Sequence, residues 1–141
     1  MATYQKFEQA IEDIYHGVHD FSSDQLKVAL VADANAPDPT TDSILADITT
    51  IDTTFLAAGN DELVRDSEGQ TDGVYELILE DRQLNADGGD VGPFRYVVIY
   101  NDDSTSDSLI AFYDLGLDVT IANGNAITLD FSQDLGLFTA A

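Results

Sequence analysis

Val91-Gly92-Pro93-Phe94-Arg95-Tyr96-Val97-Val98-Ile99-Tyr100-Asn101 is the most distinctive stretch of the chain. Successive side chains of a strand point to opposite faces. Phe94, Tyr96, Val98 and Tyr100 therefore share one face, and Arg95, Val97 and Ile99 share the other. Apolar residues on both faces predict an inner strand covered on both sides. Arg95 stands out there as a cation in a chain with few of them. It is expected at the strand's start, paired with a carboxylate of its own chain or of a neighbouring subunit.

The flanking sequence extends this β reading in both directions. Strands are predicted at 62–66, 74–80, 94–101, 108–114, 118–122, 126–131 and 136–139. Asn123-Gly124 between two apolar runs signals a hairpin, because both residues tolerate positive φ. Acidic turns stand at 87–90 and 102–107. Upstream, Leu26-Lys27-Val28-Ala29-Leu30-Val31 reads as a buried strand. Pro37 and Pro39 make residues 34–40 a loop, and 43–51 reads as a loop with one short helical turn.

The beginning of the chain has a different period. Tyr4, Phe7, Ile11, Ile14, Tyr15 and Val18 recur at spacings of three and four, which predicts an amphipathic helix over 3–19. Thr3 is its expected N-cap, and Gly17 or residues 20–23 its end. So short a helix must dock, on its own sheet or on another subunit. The expected fold is mainly β with a minor α part: an antiparallel β-sandwich or barrel with an N-terminal amphipathic helix. It is read as one domain over 1–141, with the helix in 1–20 and the β core in 25–141.

Composition narrows the function. The 141 residues hold five Lys and Arg against 27 Asp and Glu, a formal charge of −22. Nucleic-acid affinity comes from cations that neutralise phosphates, so neither nucleic acid nor an anionic membrane is an expected partner. The same charge keeps a chain soluble, and it predicts stability that rises with added salt. No cysteine is present, which removes disulfides and thiol chemistry. No apolar run has the length of a membrane span, and residues 1–7 lack the pattern of a secretory signal. Synthesis in the cytoplasm is the expectation.

Candidate chemistry is sparse. His16 and His19 lie three apart, but no third ligand joins them, so solvated or interface histidines are expected rather than zinc. The clusters Asn85, Asp87, Asp90 and Asp102, Asp103, Asp107 do not fit the EF-hand spacing. No nucleophile elbow, phosphate loop or dinucleotide fingerprint occurs. The expectation is a binding protein with no catalytic residue, metal or cofactor. A sugar-binding β module stays open, and its test is whether Tyr75, Tyr96, Tyr100 and Tyr113 are exposed; the chain has no Trp to build a platform.

Three stretches carry a resemblance: Ala2-Thr3-Tyr4-Gln5-Lys6-Phe7-Glu8, Leu26-Lys27-Val28-Ala29-Leu30, and Gly92-Pro93-Phe94-Arg95-Tyr96-Val97-Val98-Ile99-Tyr100-Asn101-Asp102. With Asp130-Phe131 and Leu135-Gly136-Leu137-Phe138-Thr139, they resemble small structural proteins of tailed bacteriophages. The resemblance implies a virion component of the capsid decoration, or cement, type. Such proteins bind the outside of the expanded head, often as trimers, and bridge capsomers of the major capsid protein. A tail or head–tail component is the alternative. On this reading Tyr4, Phe7, Ile11, Tyr15, Pro37, Pro39 and Arg95 are the expected interface residues. Residues 1–20 would then be a docking element whose removal leaves the β core folded.

Overall fold

The computed structural model describes residues 3–131 and 138–140. In chain order the elements are β1 (Thr3–Lys6), α1 (Glu8–Tyr15), β2 (Leu26–Val31), β3 (Arg65–Thr71), β4 (Val74–Leu79), β5 (Arg82–Asn85), β6 (Val91–Asn101), β7 (Leu109–Ile121), β8 (Ala126–Leu129) and β9 (Phe138–Ala140). Every strand pairing is antiparallel. Among the described residues the strands form a sheet ordered β1-β7-β6-β2, a second ordered β3-β4-β9, and the pair β5-β8.

β6 is the inner strand that its alternation predicts. It lies between β7 and β2, and from Tyr96 to Asn101 no residue is more than 8% exposed. Removing side chains the size of Val98 and Ile99 from water stabilises the fold by about 1.5–3 kcal/mol each. The core is shared by all three groups of strands. Leu30, Ile99 and Leu109 join Leu77 and Leu79 of β4, Leu84 of β5 and Leu129 of β8 in one buried cluster. The architecture is sandwich-like, and no barrel closes among the described residues.

One glycine is needed for the close approach of β6 and β7. Gly92 has φ +131°, and a Cβ there would stand 2.6 Å from the Val119 carbonyl oxygen and 2.8 Å from the Thr120 Cα. The β6 backbone could not pass β7 so closely with a larger residue.

The predicted helix over 3–19 is corrected. Thr3–Lys6 is an edge strand on β7, in the register Thr3↔Asp114 to Lys6↔Ala111. Thr3 is no N-cap; Phe7 holds that position, with no side-chain cap. The helix is only Glu8–Tyr15, and Gly17, at φ +75°, follows its end. Helical spacing misled because Tyr4 packs on Tyr113 across the strand pair, with ring centroids 5.3 Å apart.

The Asn123-Gly124 turn forms but closes no hairpin. Asn125 N–H donates to the Ala122 carbonyl at 2.9 Å, yet β8 pairs with β5 and not with β7. Residues 86–90 capture the turn. Asn123 N–H donates to Asp90 Oδ1 (2.8 Å), Gly88 N–H donates to Asn123 Oδ1 (3.0 Å), and Gly124 N–H donates to the Ala86 carbonyl (2.9 Å). The chain is thereby steered from one sheet to another.

Other boundaries also shift. The runs expected at 108–114 and 118–122 are one thirteen-residue strand, β7. The strand expected at 62–66 starts at Arg65 and continues through exposed residues to Thr71. β5 was not anticipated. Residues 132–137 lie outside the described residues, and with them the first two positions, 136 and 137, of the strand expected at 136–139; Phe138–Ala140 is β9. Leu45–Asp47 is the expected short helical turn. Among the described residues no helix is long and apolar enough to cross a membrane.

Candidate functional site

α1 turns two stripes in two directions. Phe7, at its start, is fully buried, with its ring centroid 5.2 Å from that of Phe112. Ala10, three residues on, is also buried, and Ile14 packs against the core. Ile11 and Tyr15, one turn apart on the neighbouring stripe, face solvent and are 38% and 80% exposed. Tyr4 is partly exposed on the outer strand β1. Of the residues expected at an interface, Tyr4, Ile11 and Tyr15 are thus accessible and Phe7 is not.

The proline loop supports the helix from inside. The Pro39 carbonyl accepts from Glu8 N–H at 2.9 Å, satisfying one of the donors left open at a helix start. Pro37 is buried and Pro39 half-buried. Removing residues 1–20 would therefore strip β1 from β7 and Phe7 from the core.

Arg95 is held within its own chain. Its Nε donates to Asp114 Oδ1 at 2.8 Å, its Nη2 to Asp114 Oδ2 at 3.3 Å, and its Nη1 to Asp33 Oδ1 at 2.9 Å. The guanidinium beside Asp114, with Gly116 N–H donating as well, holds that carboxyl below the usual carboxylate range.

The two histidines part company. His16 is exposed, 3.7 Å from Glu12. His19 is buried, which corrects the expectation of two solvated or interface rings. Its Nδ1 lies 3.1 Å from Asn101 Nδ2, and its Nε2 makes no hydrogen bond among the described residues. Burial pushes its pKa below the ordinary 6.5, against the opposing pull of Asp13 and Asp24. Among the described residues no group of three His, Cys, Asp or Glu is placed to hold a metal ion.

Part of the acidity has a local structural use. Asp20-Phe21-Ser22-Ser23-Asp24 and Asp38-Pro39-Thr40-Thr41-Asp42 form the same turn. In each, the first carboxylate accepts from the N–H and hydroxyl of the residue two on: Ser22 N–H at 3.0 Å, Thr40 N–H at 2.9 Å. The second carboxylate accepts from the first Asp's N–H at 2.8 Å in both. Asp52 repeats the first half with Thr54. These hydroxyl and amide donors hold Asp20, Asp38 and Asp52 below the usual carboxylate range. The repeated pattern is readable in the sequence, where it passes for plain surface charge.

None of the four tyrosines named for a sugar platform is exposed. Tyr96 and Tyr100 are buried, and Tyr75 and Tyr113 are half-buried. Comparison with protein families, with curated protein sequences and with solved structures finds no match to this chain.

Proposed function

We propose that this chain is a capsid decoration protein of a tailed bacteriophage, binding the outer surface of the expanded head and stabilising it between capsomers. The observation that carries the reading furthest is the pair Ile11 and Tyr15, accessible side by side on a chain of net charge −22. Tyrosine at the centre of a contact supplies large apolar area at low entropic cost, with carboxylates around it to meet a partner's cations. The sequence resemblance supplies the partner, the major capsid protein. A protein that binds only the assembled shell stabilises that shell by mass action, with no chemistry of its own.

The test is co-sedimentation of the purified chain with expanded empty heads and with unexpanded procapsids. Saturable binding to expanded heads, lost in Ile11→Glu and Tyr15→Ser, is the expected result. Absence of binding at several salt and magnesium levels overturns the capsid assignment.

A further inference from the structure

Residues 18–24 lead from α1 towards β2 and are fastened to β6 by a buried polar cluster. His19 is its centre. Its side chain has no exposed surface, and its ring stacks on Phe21 at 5.5 Å, which in turn stacks on Tyr75 of β4 at 6.2 Å. The Asn101 amide facing His19 is fixed at both ends. Its Nδ2 donates to Asp24 Oδ2 at 2.6 Å, and its Oδ1 accepts from Asp103 N–H at 2.9 Å. The group turned towards His19 Nδ1 is therefore an NH2. That makes Nδ1 an acceptor and leaves the proton of the neutral ring on Nε2. Asp13 Oδ2 lies 3.9 Å from that Nε2, beyond hydrogen-bond length.

We propose that His19 is a proton-operated latch: a proton taken up on Nδ1 undoes the contact with Asn101 and loosens residues 18–24 from β6. A protonated Nδ1 is a donor facing a donor. The amide cannot turn round to help, because Oδ1 would then face the Asp24 carboxylate and Nδ2 would face Asp103 N–H. Two repulsive contacts would replace two hydrogen bonds. The loosened segment includes Val18, whose N–H donates to the Asp13 carbonyl at 2.8 Å, so the end of α1 is drawn in.

The charged and titratable groups facing this cluster come from several elements. Asp13 belongs to α1, Asp20 and Asp24 to the segment itself, and Asp103 to the loop after β6. Arg65 of β3 donates to the carbonyls of Phe21 and Asp24, and Tyr75 of β4 closes the stack. Asp13 and Asp24 favour the charged ring, while its burial outweighs them. An unfolded or opened chain then takes the proton first. Stability falls as pH drops from about 6.5 towards the folded pKa and levels off below it.

The experiment is a titration of the full chain by long-range proton–nitrogen NMR of the imidazoles, from about pH 7.5 to about pH 4.5, with amide exchange measured in parallel. The Nε2–H tautomer is expected at neutral pH. As pH falls from about 6.5 towards the His19 titration point, the Val18 and Asp24 amides should lose protection by about tenfold per pH unit, and the loss should level off below that point. His19→Asn retains an acceptor on the Asn101 side and cannot charge, so its protection should stay flat. Should that variant not fold, the wild-type titration decides alone. A neutral ring with its proton on Nδ1, a ring that stays neutral throughout, or protection that holds or rises as pH falls from about 6.5 to the titration point would each overturn the latch.

Discussion

Arg95 of β6 clasps both carboxylate oxygens of Asp114 on the adjacent strand, at 2.8 and 3.3 Å. A forked guanidinium meets a carboxylate edge-on in a way that a lysine cannot. Asp114→Asn and Arg95→Lys are both expected to lower the melting temperature by a few degrees, on the order of 5 °C. Asp33→Asn should do less, because Asp33 is 55% exposed. Thermal unfolding followed by circular dichroism separates the three; equal losses would show that Asp33 and Asp114 hold Arg95 alike.

The two stripes of α1 should respond oppositely. Phe7→Ala removes a fully buried ring and is expected to cost about 3–5 kcal/mol in urea unfolding. Tyr15→Ser changes an exposed side chain and should stay within about 0.5 kcal/mol of the parent. If Tyr15 serves a partner, its variant loses binding while its unfolding midpoint stays in place.

Gly89 and Gly92 make a matched pair. Gly92→Ala meets backbone of β7 at 2.6 Å and requires a positive φ, so a loss on the order of 1–3 kcal/mol is expected. In Gly89→Ala the nearest atoms to the new Cβ belong to the Phe55 ring, at 2.5 Å, a side chain that is 42% exposed and not backbone. Gly89→Ala should be the milder of the two. Equal urea midpoints for both variants would mean that β6 and β7 separate more easily than their register suggests.

Acid should unfold the protein in a second, lower step. Asp20, Asp38, Asp47, Asp52 and Asp114 are all held below the usual range by donors that exist only in the folded chain. Between their folded pKa values and about 3.9 the unfolded chain binds more protons, so the stability they contribute is lost as pH falls through that interval. Asp38→Asn removes one of these carboxylates and should flatten the slope there, in urea midpoints measured from about pH 5 downwards.

The central sheet was legible because β6 and β2 are apolar on both faces, and a period of two survives burial. β3 was not fully legible: residues 66–71 are wet on both faces, so no hydrophobic alternation marks them. β5 buries only Leu84 and left too little pattern to read. Thr3–Lys6 failed for another reason, since its tyrosine falls at a spacing that suits a helix equally well. At the candidate surface, composition identified apolar residues but not their direction. Phe7 and Ile11 are four apart, yet one fills the core and the other faces water. The His19 cluster depends on Asn101, eighty-two residues away, which no local pattern connects to it.

The pairing of β1 with β7 sets a timetable. Lys6 must wait for Ala111, about a hundred residues later, before its strand has a partner. At about 5–20 residues per second of synthesis, that wait lasts roughly 5–20 seconds. Throughout it Phe7 has no Phe112 to cover it, and β1 stays unpaired until the thirteen-residue β7 has been made. Closure of β1 on β7 thus joins two segments far apart in the chain, a non-local pairing that is slow by topology.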